Sequence, residues 1–221
     1  MQTMTTTQNK SHAVMAQRHE HKKSLDNFPT PPWATRALLK QILQKHNLDE
    51  QTCLEPACGA GHMSKVLKES FKKVLSSDVY PYGYGDVSNF LTNSPSSEGI
   101  DWMITNPPFR YAEEFILKGL DITKCGVAVL TRTVFLESIG RYQRLFSPFP
   151  PSIVAQFCER VPMVKGRLDA KATTATGYSW IIWDKSMSSN TTQLTWIKPC
   201  RKILEKPNDY LEEHSSKVEN Q

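Results

Sequence analysis

Short apolar segments alternate with helical patterns along most of the chain, and this alternation limits the possible folds more than any other feature. The segments that predict strands are TCLE, KKVLSSDVY, IDWMI, CGVAVLTRTVF, SIVAQFCERV and GYSWIIWDK, with QLTWIKP as a further candidate. Helical spacing of apolar residues occurs in TPPWATRALLKQILQKH, GHMSKVLKES, RYAEEFILKGL and ESIGRYQRLF. Thr30 suits the N-cap of the first helix, with Pro31 at its first position. Strands joined through helices pair in parallel, so the sequence predicts an α/β fold, a mostly parallel sheet with helices on both faces.

The composition indicates one ordinary soluble domain with a polar segment at each end. Of 221 residues, 39% are hydrophobic and 22% are charged. No apolar run reaches the roughly 18 residues that a membrane span requires, and no signal-peptide pattern is present. Residues 1–25 are polar and basic and residues 205–221 are polar, so we expect mobile tails around a domain at residues 26–204. The five scattered cysteines form no C-x-x-C pair, which favours reduced thiols in the cytoplasm over a zinc site or a disulfide framework.

A glycine turn follows the first predicted strand, in the segment LEPACGAGHM. Gly59 and Gly61 permit a tight turn and a close approach of the backbone to a ligand. A plain strand-to-helix turn explains the same two glycines. Ser64 stands where the third small residue of a dinucleotide-binding loop would be, so this loop alone leaves an NAD site open.

Two aspartates follow the glycine turn at strand ends. Asp78 ends the next predicted strand, 23 positions after Glu55. At that distance a carboxylate is placed to accept hydrogen bonds from both ribose hydroxyls of a nucleoside cofactor, although a solvated turn aspartate is the simpler alternative. Asp86, at the following strand-to-loop junction, is a candidate acceptor for an adenine amino group or a capping residue.

The tetrapeptide Asn106-Pro107-Pro108-Phe109 follows the strand IDWMI directly. Its two prolines fix two φ angles and remove two backbone donors, so the segment is stiff before anything binds. A simple turn seldom needs this rigidity with an amide before it and an aromatic ring after it. The tetrapeptide is therefore a candidate pocket.

The three signals together resemble S-adenosylmethionine-dependent amino-methyltransferases, which carry them in this order. A nearer resemblance is to small phage- and prophage-type N6-adenine DNA methyltransferases, through TPPWATRALL, EPACGAGHM, SSD with YGYGD, NPPF with AEEF, and RVPMVKGR, over about residues 26–184. The resemblance implies a Rossmann-like class I methyltransferase fold whose sheet has seven strands and ends in an antiparallel hairpin. It implies S-adenosyl-L-methionine as the cofactor and contacts to it from Phe28, Thr30, Glu55, Ala57, Gly59, Gly61, Asp78 and Asp86.

The resemblance also implies a reaction at the tetrapeptide, methyl transfer to the N6 amino group of adenine in DNA. The Asn106 side-chain oxygen and the Pro107 carbonyl would accept the two amino hydrogens, which turns the nitrogen lone pair toward the methyl group. Pro108 would help to preset this geometry, and Phe109 would offer a face for the base. The base must leave the duplex to reach such a pocket. No metal is needed.

The basic residues after the tetrapeptide bear on the partner. Residues 132–172 hold seven basic and three acidic residues, a net charge of +4 within a chain of net charge +5. Such a stretch is either a solvated face or a phosphate-binding face. The predicted nucleic-acid contacts are Arg141, Arg144, Lys165 and Arg167.

Several alternatives remain open at the level of sequence. The same tetrapeptide type serves methyltransferases of RNA adenine and of protein glutamine, and an inactive interaction module or an NAD oxidoreductase would share the fold. The basic stretch favours nucleic acid, DNA first and RNA second, and no membrane partner is expected. Little chain follows the last predicted strands, so target recognition would come from these loops or from a second subunit. The expected location is the cytoplasm, or the nucleoid or nucleus where DNA lies.

Overall fold

The computed structural model describes residues 26–93, 95, 99–187 and 191–210. The predicted amino-terminal tail, residues 1–25, and residues 211–221 of the predicted carboxyl-terminal tail lie outside the described residues. In the part of the chain that is described, every helix is too short or too polar to cross a membrane.

One sheet of eight strands forms the centre of the molecule, in the order β3-β2-β1-β4-β5-β7-β6-β8. The strands are β1 Thr52–Glu55, β2 Lys73–Asp78, β3 Asp86–Val87, β4 Trp102–Thr105, β5 Gly126–Arg132, β6 Ile153–Phe157, β7 Tyr178–Asp184 and β8 Gln193–Ile197. Only β7 runs antiparallel to its neighbours among these strands, so the predicted mostly parallel sheet and the antiparallel pair near its end are confirmed. The predicted count of seven was wrong by one strand. The segment QLTWI forms β8 and pairs with β6, which would otherwise be an open edge.

Five helices connect or flank these strands in the described residues. They are α1 Pro32–Ala37, α2 His62–Leu67, α3 Ala112–Ile122, α4 Ile139–Arg141 and α5 Arg201–Leu204, with wider helical turns extending α1 through Ile42 and α4 through Phe146. The predicted cap of α1 was wrong by one residue, because Pro31 is the N-cap and Pro32 is the first helical residue. The Thr30 hydroxyl instead accepts a hydrogen bond from the Asn106 side chain.

The strands bury alternate residues in two separate apolar layers, as period-2 side-chain direction requires. In β4, Trp102 and Ile104 join the layer formed with α1 and α2, and Met103 joins the layer formed with α3. The same alternation holds in β5 and β7, whose side chains are almost completely buried on both faces. Helices therefore cover both faces of the sheet, as predicted.

The parallel register brings the ends of three strands together at the carboxyl edge of the sheet. Glu55 ends β1 beside Ser76, and β2 runs two residues further to Asp78. The strand β4 lies on the other side of β1 and leads into Asn106. Ligands of such sheets bind beyond this edge.

Residues 205–210, which the sequence predicts as the start of a polar tail, contact the domain. Arg36 in α1 is buried, and its guanidinium pairs with Asp209 at 2.7 Å and with Glu69 at 2.7 Å. It also donates to the Leu204 carbonyl oxygen at 2.8 Å. One buried cation thus holds the end of the described chain against α1.

Candidate functional site

A cavity of about 590 Å³ lies at the carboxyl edge of the sheet. Ligand pockets typically measure roughly 300–1,000 Å³, so this cavity suits a cofactor-sized molecule. Eight of the residues predicted from sequence line it, namely Phe28, Thr30, Glu55, Ala57, Gly59, Asp78, Asn106 and Pro108. The other predicted residues, Gly61, Asp86, Pro107, Phe109, Arg141, Arg144, Lys165 and Arg167, are not part of this lining.

Asp78 fixes the glycine turn against the end of β2. Its Oδ2 atom accepts a hydrogen bond from the Gly59 backbone N–H at 2.9 Å, and its Oδ1 atom accepts from the Tyr80 N–H at 3.0 Å. Gly59 has a φ of +51°, in the left-handed region that favours glycine. A carboxylate has about four lone-pair positions, so two backbone bonds leave Asp78 able to accept further hydrogen bonds from a ligand in the cavity.

Gly61 serves packing rather than the lining of the cavity. Its φ is +81°, and a Cβ atom added there would lie 2.4 Å from the ring of Tyr84. Tyr84 therefore approaches the turn as closely as it does only because residue 61 is glycine. Of the two glycines that suggested a ligand loop, Gly59 lines the cavity and Gly61 packs against Tyr84.

Asp86 is exposed on β3, where it pairs with Ser77 in the β2–β3 ladder. Asn89, three positions further along the chain, is a polar residue of the following loop that does line the cavity. Its side-chain oxygen accepts a hydrogen bond from the Leu91 N–H at 3.0 Å, which shapes the loop. Sequence reasoning missed Asn89, because strand-end spacing locates the loop and does not say which of its residues lines the cavity.

Glu55 is a buried carboxyl group at the wall of the cavity. Burial, and next the negative charge of Asp78, raise the pKa of Glu55 to about 8, against the opposing effect of hydrogen bonds from Ser64. The Ser64 hydroxyl bonds the Glu55 carboxyl group and lies 2.6 Å from the Ser76 hydroxyl. Glu55 is therefore largely protonated at neutral pH in the free protein, and Ser64 acts as its partner, not as part of a dinucleotide loop.

The side-chain amide of Asn106 has a fixed orientation. Its Nδ2 atom donates to the Phe28 carbonyl oxygen at 2.9 Å and to the Thr30 hydroxyl at 3.1 Å. A carbonyl oxygen can only accept, so the nitrogen must face residues 28–30 and the oxygen must face away from them. Within the described residues the Asn106 oxygen has no hydrogen-bond partner, and Asn106 lines the cavity. The site thus presents a free acceptor.

Residues 26–30 also hold the last residue of the tetrapeptide. The Phe109 N–H donates to the Asp26 carboxylate at 3.1 Å. The rings of Phe28 and Phe109 stack with centroids 5.6 Å apart, and the Arg132 guanidinium lies 4.7 Å from the Phe109 centroid. No local pattern in the sequence indicates this brace, since the residues involved are about 80 positions apart.

The predicted nucleic-acid residues lie outside the cavity, and most of them bind to the protein itself. Arg141 donates to the carbonyl oxygens of Phe135 and Glu137 at 2.5 and 2.9 Å. Arg144 pairs with Glu113 at 2.6 Å, and Arg167 with Asp169 at 3.2 Å. Lys165 is exposed beside Gly166. Among the described residues, no three His, Cys, Asp or Glu side chains are grouped as metal ligands.

Comparisons with known proteins bear on the fold. No family model matches the chain, and no curated protein matches it. Its structure is similar to the modification subunit of a candidate type I restriction enzyme from Vibrio vulnificus, with a TM-score of 0.53 and 14% identity over 85% of this chain and 51% of that one. The chain thus spans about half of that subunit.

Two further structures are similar over most of their own length. A candidate RNA methyltransferase from Pyrococcus horikoshii has a TM-score of 0.56 and 17% identity, over 75% of this chain and 90% of that one. A protein from Thermoplasma acidophilum has a TM-score of 0.51 and 18% identity, over 75% of this chain and 93% of that one. At these identities the similarity establishes the fold and not the reaction. The chain has the Rossmann-like α/β fold of class I methyltransferases.

Proposed function

We propose that the protein transfers a methyl group from S-adenosylmethionine to the N6 amino group of adenine in DNA. The observation that carries the proposal is the side-chain oxygen of Asn106, which has no hydrogen-bond partner in the described residues, while the bonds from its nitrogen to Phe28 and Thr30 fix the amide beside the cavity. A preorganised acceptor of this kind suits a group that must donate two hydrogens and then react at nitrogen.

The residues around the large cavity fit S-adenosylmethionine. The cavity volume of about 590 Å³ is sufficient, and Asp78 is a buried acceptor in its lining that we assign to the ribose hydroxyls. Gly59 keeps the backbone of the turn close to the cavity. Phe28 and Thr30 line the same space on the side of the tetrapeptide. When bound, S-adenosylmethionine supplies a methyl group that is electrophilic because it is attached to a positively charged sulfur.

The tetrapeptide prepares the amino group for this transfer. The lone pair of an adenine amino nitrogen is delocalised into the ring, so the nitrogen is a poor nucleophile. When Asn106 and the Pro107 carbonyl accept its two hydrogens, the nitrogen becomes more tetrahedral and its lone pair more available. The two prolines and the contacts from residues 26–30 hold these acceptors in place before the base arrives, which reduces the ordering left to the reaction step.

We take nucleic acid as the substrate because residues 132–172 carry a net charge of +4, and DNA first because the sequence resembles N6-adenine DNA methyltransferases. An adenine in a duplex must leave the stack at a cost of a few kcal/mol. An adenine of RNA would fit the same acceptors, and one structural neighbour is a candidate RNA methyltransferase. Protein glutamine also carries a planar amino group.

The substrate test uses purified protein and methyl-labelled cofactor, incubated separately with duplex DNA, RNA and protein extract. We expect label in DNA that resists protein digestion and is recovered as N6-methyladenine. Strong transfer to RNA with none to DNA would reject the preferred substrate, and transfer to protein alone would reject the nucleic-acid assignment.

The mechanism test replaces Asn106 by alanine. We expect N106A to lose transfer by at least about 100-fold, because the acceptor for the amino group is gone, while calorimetry shows unchanged cofactor affinity. The matched control is Asn47→Ala, since Asn47 is exposed before β1 at the opposite edge of the sheet. Wild-type activity in N106A would refute the proposed mechanism.

A further inference from the structure

A second, smaller cavity of about 80 Å³ lies beside Phe109. Its lining includes Phe109, Thr131, Arg132 and Arg141. The Thr131 hydroxyl and the Arg141 Nε atom are buried and have no hydrogen-bond partner within the described residues. The proposed reaction uses Phe109 and assigns no role to Thr131, Arg132 or Arg141.

Arg132 reaches the tetrapeptide because β5 is longer than its neighbour β4. Thr105, the last residue of β4, pairs with Val129 of β5, and β5 continues to Arg132. The extension runs beside the tetrapeptide that follows Thr105. The Arg132 guanidinium thereby lies 4.7 Å from the centroid of the Phe109 ring.

The guanidinium of Arg132 has no other partner in the part of the chain that the structure describes. Arg132 is exposed, whereas Arg141, Arg144 and Arg167 bond to backbone oxygens or to carboxylates. A guanidinium is flat, stacks on aromatic rings and pairs readily with phosphate. An arginine in this state can change between an aromatic face and a phosphate without breaking an ion pair of its own.

We propose that Arg132 occupies the stacking position of the target base on Phe109 in the free protein and moves to a phosphate of the target strand when the base enters. This inference rests on the proposed function, since it takes the target to be a nucleic-acid base. A base stacked on Phe109 and the guanidinium at 4.7 Å need the same space. Departure of the guanidinium enlarges the small cavity and leaves Thr131 available to the edge of the base. Arg132 is thus a positioning residue.

Two variants separate the charge of Arg132 from its flat shape. Arg132→Ala removes both the positive charge and the flat guanidinium. Arg132→Lys keeps the charge and removes the flat group that stacks on an aromatic ring. The control is Lys72→Ala, which removes an exposed charge next to the start of β2, at the opposite edge of the sheet. Calorimetry with S-adenosylhomocysteine should give wild-type affinity for all three, because neither Arg132 nor Lys72 lines the large cavity.

The phosphate contact is measured by the salt dependence of binding to a fluorescent, adenine-rich single-stranded DNA, with S-adenosylhomocysteine saturating. Loss of one phosphate contact lowers the slope of log K against log salt by about 0.7 for a single strand. We expect this decrease in R132A and a wild-type slope in R132K and in the control. A wild-type slope in R132A would overturn the phosphate contact.

The exchange at Phe109 is measured with adenosine, which has no phosphate, again with S-adenosylhomocysteine saturating the cofactor site. Removing a group that occupies the binding position raises apparent affinity in proportion to its occupancy. We expect R132A and R132K both to bind adenosine more tightly than wild type, by about fivefold. Unchanged or weaker adenosine binding in R132A would overturn the exchange.

Failure of this inference differs from failure of the proposed function. If wild-type protein methylates neither DNA nor RNA, the proposed function is wrong whatever Arg132 does. If wild-type protein methylates DNA while R132A binds adenosine and DNA as the wild type does, the function stands and only the role of Arg132 is rejected.

Discussion

The orientation of the Asn106 side-chain amide is fixed by contacts to residues that are distant in sequence. Asparagine at this position supplies both a donor and an acceptor, and sequence alone does not decide which one faces a ligand. The Phe28 carbonyl and the Thr30 hydroxyl decide it, because both are reached by the Asn106 nitrogen. The tetrapeptide was recognisable from sequence through its rigidity. The orientation of the Asn106 amide, by contrast, depends on Thr30 and Phe28, which lie 76 and 78 positions earlier in the chain.

Replacing Thr30 by valine tests this orientation while keeping the shape of the side chain. T30V removes one of the two oxygen acceptors of the Asn106 nitrogen, so the amide loses part of its preference for this orientation. We expect the rate of methyl transfer under saturating cofactor to fall about tenfold, which corresponds to roughly 1.4 kcal/mol.

Cofactor affinity in T30V, measured by calorimetry, should change by less than the rate does. Thr30→Ser keeps the hydroxyl and should restore most of the activity. Equal loss in T30V and Thr30→Ser would show that packing of the Thr30 methyl group, and not the hydrogen bond, is what matters.

Asp78 and Asp86 were predicted as two cofactor contacts, and their surroundings now distinguish them. Asp78 is 8% exposed and lines the large cavity, whereas Asp86 is exposed and lies outside the lining. We expect Asp78→Asn to weaken cofactor binding about 100-fold, since hydrogen bonds to a charged acceptor contribute roughly 1.5–3 kcal/mol each. Asp86→Asn should weaken binding far less. Calorimetric titration with S-adenosylmethionine gives both values, and equal effects would contradict the distinction.

At the level of elements, the strands and most helices were predictable because their side-chain periodicity is strong. β5 and β7 are buried on both faces, and their apolar runs are the clearest in the chain. The two strands at the edges of the sheet were less accessible to prediction. β3 has two residues and β8 has an exposed, mixed face, so neither has a periodic pattern of its own. β3 is defined by its pairing with the longer β2, and β8 by its pairing with β6, which has the same length.

The junction of β1 with α2 gives a prediction about pH. The pKa of Glu55 is about 8 in the folded protein, against 4.5 as its ordinary value. Between these two values the folded state binds more protons than the unfolded state, so the free energy of unfolding falls as pH rises. The fall is about 1.4 kcal/mol for each pH unit within this window.

Urea unfolding of the cofactor-free protein at pH 5, 6, 7 and 8 measures this dependence. Glu55→Gln removes the titrating group and should flatten the curve, while Glu50→Gln, at an exposed site before β1, should leave it as in the wild type. The same slope in E55Q as in the wild type would assign the pH dependence to another group.

For the whole molecule, the carboxyl-terminal contacts join regions that are distant in sequence. Arg36 belongs to the first helix and Asp209 to the end of the described chain, and each side chain of the pair is 6% exposed. Composition indicated a polar tail from residue 205, since the four residues of this segment that precede Asp209 are charged, polar or proline. A buried partner for one of those charges is a tertiary feature that local sequence does not show.

Breaking this pair should destabilise the entire domain. Asp209→Asn leaves the buried guanidinium of Arg36 with less compensation, and we expect a loss of about 2–4 kcal/mol in the free energy of unfolding. Asp169→Asn breaks an exposed pair with Arg167 and should leave stability unchanged within error. Urea denaturation followed by circular dichroism compares the two variants. Equal stability of D209N and wild type would show that Glu69 and the Leu204 carbonyl suffice for Arg36.

The contacts from residues 26–30 to the tetrapeptide also bear on how the sequence can vary. Phe28 stacks on Phe109, Thr30 bonds Asn106, and Asp26 bonds the Phe109 N–H. A substitution in either segment alone disturbs the other, so the two segments should covary among homologous proteins although the glycine turn and Asp78 lie between them. Lineages that lose the aromatic ring at position 28 should also change position 109, and a paired change should preserve activity that either single change reduces.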